Sequence, residues 1–128
     1  MKPLSREWVD KAEGDFATME RESRARKAPN FDAVCFHAQQ CAEKYLKARL
    51  CESGLPFAKI HDLLALLQCV LPLEPLWEAF REDLAFLTDF AVSFRYPGDA
   101  ADRESALDAR RRCRRFRKAA RESLGLEP

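Results

Sequence analysis

Between Asn30 and Gly54 the apolar residues Phe31, Val34, Cys35, Ala38, Cys41, Ala42, Tyr45 and Leu46 recur at helical spacing. An α-helix gathers such positions on one side, whereas a strand would divide neighbours between two faces. Asn30 supplies the acceptor side chain of an N-cap, Asp32 suits the positive end of the helix dipole, and Gly54 ends the run. A stripe this wide must be covered by several other elements.

The rest of the chain offers partners of the same kind. A first helix is expected from Arg6 to Ala25, capped by Ser5, with Leu4 stapled against Val9 and a buried face of Trp8, Ala12, Phe16 and Met19. Asp62 should cap a short third helix from Leu63 to about Leu71, ended by Pro72. A fourth should open at Pro75 and bury Leu76, Phe80, Leu84, Leu87, Ala91 and Phe94. It must stop near Arg95 and Tyr96, since the residue before Pro97 avoids helical geometry. The fifth runs from after Asp102 to near Leu124, with Gly125 as its stop and a thin stripe of Ala106, Ala109, Cys113, Phe116, Ala120 and Leu124. Residues 1–128 therefore read as a single all-α domain. Four long helices and one short helix form an antiparallel up-and-down helical bundle. The Trp77/Phe90 side of helix four widens its stripe beyond the needs of one core and suggests an exposed dimer face.

Composition narrows the class further. Hydrophobic residues at 47% and a formal net charge of +1 exclude a disordered chain. The longest apolar runs, 63–67 and 69–72, are far shorter than a membrane span, and Met1–Glu7 lacks the apolar stretch of a secretory signal. The five cysteines, Cys35, Cys41, Cys51, Cys69 and Cys113, are odd in number and contain no CxxC pair. They read as free thiols in a reducing, cytoplasmic setting.

Several groups could carry chemistry. On helix two, His37, Gln40, Lys44 and Lys47 line up as a polar stripe, either a solvated face or a groove wall offering cations to phosphate. His61 stands just before the cap of helix three. Arg95 and Tyr96 stand on the proline turn, where a guanidinium could grip phosphate and a phenol could stack. Helix five concentrates Arg110, Arg111, Arg112, Arg114, Arg115, Arg117, Lys118 and Arg121, so that residues 103–121 carry +7 and the rest of the chain −6. That face is either solvated or a surface for nucleic acid or an acidic partner. There is no Gly-rich phosphate loop, HExxH, GxSxG or paired-carboxylate signature, and neither a metal nor a cofactor is expected.

Three motifs in order carry a resemblance. The helix Cys35-Phe36-His37-Ala38-Gln39-Gln40-Cys41-Ala42-Glu43-Lys44-Tyr45-Leu46-Lys47-Ala48 resembles the signature helix of HEPN domains. Lys59-Ile60-His61-Asp62-Leu63 is similar to that family's HxL connector, and Arg95-Tyr96-Pro97 to its RYP turn. Trp8, Ala12, Asp15 and Phe16 also fit, so the resemblance spans about Trp8 to Leu124. It implies an α-helical bundle, often dimeric, often encoded beside a minimal nucleotidyltransferase and in some pairs an RNase toxin. The family's RNase motif sets an arginine four to six residues ahead of a histidine. Here Arg26 lies eleven positions before His37, Arg49 lies twelve before His61, and no histidine follows Arg95.

The expectation is thus a non-catalytic HEPN module that binds a nucleotide or nucleic acid as a homodimer, with a minimal nucleotidyltransferase partner. Lys44, Lys47, His61, Arg95 and Tyr96 should border the ligand site. Arg111, Arg114, Arg115 and Lys118 should form a nucleic-acid or partner surface. The alternatives are an RNase toxin with a variant site, built on His61 or on Tyr96 with Arg95, and a general nucleic-acid-binding protein using the last helix.

Overall fold

A computed structural model describes residues 1–57, 59–91 and 97–128. In chain order it contains α1 (Pro3–Arg24), α2 (Phe31–Ser53), α3 (Leu63–Val70), a 3-10 segment (Pro75–Phe80), α4 (Arg81–Thr88), a 3-10 turn (Asp89–Ala91) and α5 (Arg103–Ser123), with no strand among the described residues.

α2 is the axis of the molecule. Its buried residues point in every direction and include Val34, Cys35, Ala38, Cys41, Ala42, Tyr45, Leu46, Ala48 and Leu50. It begins as its sequence dictates: Asn30 accepts a hydrogen bond from the Ala33 amide at 2.9 Å, and Gly54 ends it in the left-handed region at φ 79°. α1 runs antiparallel to α2, since the Lys2 amide donates to Glu52 and the Asn30 amide donates to Glu22. α5 runs parallel to α2, because Asp32 accepts from the Ala101 amide at one end while Arg49 reaches Ser123 at the other. The connector after Gly54 travels back along α2, so that α3 also descends beside it: His61 lies at Glu43. α4 then returns antiparallel to α3 and α5, fixed by Thr88 accepting from the Leu63 amide and by Asp83 accepting from Arg112. The bundle is thus antiparallel between α1 and α2, α3 and α4, and α4 and α5, while the back-running connector keeps α2, α3 and α5 parallel.

Four local expectations are corrected. α1 starts at Pro3, a residue suited to the first helical position, with Lys2 as N-cap in place of Ser5. Ser5 is buried and Leu4 is exposed, so the expected staple on Val9 does not form. The fourth helical segment is not one long helix. It opens as a 3-10 turn, becomes a two-turn α-helix and tightens again. A 3-10 turn repeats every three residues, which sets Trp77 and Phe80 on one side and turns Leu76 away. Trp77 is 4% exposed and meets Phe116 edge-to-face at 5.1 Å, while Leu76 is 87% exposed. Trp77 is therefore core and not part of an exposed dimer face. Phe90 packs against Phe86 at 5.3 Å. The expected end of this helix, from Phe94 to Tyr96, lies outside the described residues.

α3 and α5 follow the sequence closely. Asp62 caps α3 through the Leu64 and Ala65 amides, and Asp102 caps α5 through the Ser105 amide. Ala106, Ala109, Cys113, Phe116 and Ala120 are the buried residues of α5. All five cysteines are free: Cys35, Cys41 and Cys113 are buried, Cys51 is partly exposed and Cys69 is exposed. Burial, reinforced by Asp32 and Asp102, pushes the Cys35 thiol up to about 12, which leaves it protonated and unreactive. No helix among the described residues is long and apolar enough to cross a membrane.

Candidate functional site

The polar stripe of α2 does not face solvent as a free row. It is taken up by two carboxylates, one on α1 and one on α2 itself. Asp15, buried on α1, accepts from His37 Nδ1 at 2.7 Å and from Lys44 Nζ at 2.5 Å. Burial pushes the Asp15 carboxyl up, but the hydrogen bonds from His37 and Lys44 outweigh it and hold the group below the usual range. Lys44 thus spends its charge inside the α1–α2 seam.

Lys47 is used in the same way. Gln39, Glu43 and Lys47 stand four residues apart, so they stack on one flank of α2 beneath the connector. Glu43 accepts from Lys47 at 3.1 Å, from Gln39 at 3.0 Å and from His61 Nδ1 at 3.1 Å. The Lys47 side chain is only 6% exposed, and its ammonium lies 5.5 Å from the centre of the Trp8 ring. Trp8 in turn meets Phe57 of the connector at 6.1 Å. His61 is the open member of this group, with its side chain 69% exposed. One ring nitrogen is held by Glu43 and the other end of the ring faces solvent.

Lys47 and His61 are therefore brought together at Glu43, whereas Lys44 is held separately by Asp15, and of the three only His61 has a mostly exposed side chain. Arg95 and Tyr96 lie outside the described residues. Asp15 and Glu43, which organise the region, carry no stripe signal of their own. The four-residue ladder Gln39–Glu43–Lys47 along one flank of the helix was the readable clue to Glu43.

The opposite flank of α1 faces α5. Glu13 and Glu20, seven residues apart, point there, whereas Trp8 and Asp15, also seven apart, point to the α2 seam. Arg110 donates to both Glu20 oxygens at 2.8 and 3.0 Å, and Arg117 to both Glu13 oxygens at 2.8 and 2.7 Å. Arg117 also lies 4.0 Å from the centre of the Phe16 ring. Arg121 donates to the Tyr45 hydroxyl at 3.0 Å, and that hydroxyl donates to Glu13. Arg112 reaches Asp83 and Asp108 at 3.0 and 3.1 Å and packs over Phe86. Half of the basic residues of helix five are thus structural pins and do not fan into solvent.

The other half form an exposed ridge: Arg111, Arg114, Arg115 and Lys118. Arg111 shares Asp108, while Arg114 stands 3.6 Å from Glu20 and Arg115 3.4 Å from Asp83, beyond good hydrogen-bond distance. Lys118 has no hydrogen-bond or ion-pair partner among the described residues. With Leu107 and Arg110 these side chains line a shallow open concavity. Seven arginines of this run share the four carboxylates Glu13, Glu20, Asp83 and Asp108, and Lys118 has no ion-pair partner among the described residues, so these eight cations outnumber their carboxylates by four.

A family model for the HEPN domain matches residues 5–123, nearly the whole length. The chain belongs to the HEPN domain family. The match covers the α1–α2 seam, the connector cluster and almost all of α5 in this HEPN domain. No curated protein and no solved structure matches it. Among the described residues there is no group of three or more His, Cys, Asp or Glu side chains placed to hold a metal ion. Each histidine is tied to a carboxylate, His37 to Asp15 and His61 to Glu43.

Proposed function

We propose that this HEPN chain is a non-catalytic binding module, which holds a nucleotide or nucleic acid and acts as a homodimer beside a minimal nucleotidyltransferase. The observation that supports the reading is the excess of cations over carboxylates on the outer side of α5, a surface suited to phosphate. The spacing of arginine and histidine points the same way, since neither histidine follows an arginine at nuclease spacing. On this reading His61 borders the ligand or partner site, and the sequence adds Lys44, Arg95 and Tyr96 as further candidates. Lys47 acts from behind by fixing Glu43, which fixes His61. Titration calorimetry with nucleotides and RNA, with and without a minimal nucleotidyltransferase, tests the reading. Binding of nucleotide, RNA or partner is expected, and silence toward all three overturns it. Light scattering at monomer mass removes the homodimer.

A second reading, an RNase with a variant site, is favoured by one observation: His61 is exposed and its ring is oriented by a buried carboxylate, the arrangement of a general base. It predicts RNA cleavage that disappears in His61→Ala and in Arg95→Ala. RNA left intact after long incubation with pure protein removes this alternative.

A further inference from the structure

The α5 ridge differs from an ordinary solvated helix face in how it is supported. The inner guanidiniums of Arg110 and Arg112 hold Glu20 and Asp83 close. The outer guanidiniums of Arg114 and Arg115 approach the same two carboxylates only to 3.6 and 3.4 Å. Asp83 Oδ2 makes no hydrogen bond at all, although it is buried. The carboxylates therefore fix the outer arginines in place electrostatically without consuming their N–H donors. Arg115 is further steadied over the Phe80 ring at 5.9 Å. Two arginines at the centre of the row held this way have lost side-chain freedom before any ligand arrives, so less entropy is lost on binding.

We infer that this ridge binds the sugar–phosphate backbone of duplex nucleic acid, without reading its sequence. The inference rests on the binding-module reading and names the ligand for it. Three features select the duplex. The ridge is straight and rigid, as a duplex backbone is. From Arg111 to Lys118 it spans about 10 Å at 1.5 Å per residue, which faces about three phosphates of one strand at 3.4 Å each. It also presents no free aromatic ring, because Phe116 is buried and Phe80 and Phe86 lie beneath Arg115 and Arg112. Single-strand binders depend on such rings for stacking. An acidic protein partner is the other chemistry that could meet these charges, and the test separates it.

The experiment uses the whole chain, a short duplex RNA of arbitrary sequence, the matching single strand, and polyglutamate as a carboxylate polymer. Neutralising about three phosphates weakens duplex binding about 40-fold between 50 and 200 mM salt. The variant Arg111→Gln/Arg114→Gln/Arg115→Gln removes the ridge charges without setting new carboxylates beside Glu20 and Asp83, so it keeps the fold, as circular dichroism will verify. It should lose at least about tenfold in affinity and most of the salt slope. The control Arg6→Gln/Lys11→Gln/Arg21→Gln removes the same charge from exposed positions on α1 and should retain binding. Equal losses in both variants overturn the inference, because attraction is then set by net charge alone. Tighter binding of the single strand, or equal competition by polyglutamate, also overturns it. If duplex fails to bind while a nucleotide or single strand still does, the inference falls and the binding-module reading stands.

Discussion

Glu13 shows how single residues in this protein join three elements. Burial pushes its carboxyl up, but hydrogen bonds from Arg117 and Tyr45 and the charges of Arg117 and Arg121 more than offset that and lower it. Glu20 is lowered first by its hydrogen bonds from Arg110, against a smaller effect of burial. With Asp15 they form a set of carboxylates whose ionised forms are favoured by folding, relative to ordinary values of 4.5 for glutamate and 3.8 for aspartate. The sign follows directly: their contribution is complete above those ordinary values and is lost as pH falls through the lower folded ones. Thermal melting followed from neutral to strongly acidic pH should show stability falling chiefly below about pH 4.5. Glu20→Gln should flatten that acid limb. Asp15→Asn leaves Lys44 facing a neutral amide inside the seam and should cost about 2 kcal/mol in urea denaturation. A loss within experimental error would show that the seam pair adds nothing to stability.

At the scale of elements, the 3-10 opening of the fourth segment has the largest consequence. It sends Trp77 into the core against Phe116 and leaves Leu76 in solvent. Trp77→Ala should therefore cost about 3–5 kcal/mol, whereas Leu76→Ser should change stability by less than about 0.5 kcal/mol. The reverse order, measured by chemical denaturation, would restore the continuous helix with Leu76 inside. The reason the α-helical reading of the sequence failed here is plain: Leu76 and Phe80 fit a four-residue spacing as well as Trp77 and Phe80 fit a three-residue one. Only packing against α5 decides between them. α2 and α5, by contrast, were legible from end to end, because each has a polar cap residue, a long stripe at one period and a glycine beyond the end.

Across the whole molecule, α2 is packed against α1, α3, α4 and α5, so no subset of helices has a core of its own. Unfolding should be a single cooperative step. Trp8 reports on the α1–connector side and Trp77 on the α4–α5 side, so Trp8→Phe and Trp77→Phe proteins give separate optical views. Their fluorescence transitions should coincide with loss of far-ultraviolet circular dichroism. Separated midpoints would mean that the connector side opens by itself.

The amino-acid sequence alone determined the all-α class, most helix limits, the free cysteines, the family and the concentration of charge on the last helix. These follow from local periods, caps and composition, which a chain carries before it folds. Tertiary structure decided which cations remain available. Lys44, Arg110, Arg112 and Arg117 look identical to Arg114 and Lys118 in the sequence, yet they meet Asp15, Glu20, Asp83 and Glu13 across distances that only folding closes. A charge becomes a site or a strut according to whether an opposite charge from a distant part of the chain arrives beside it.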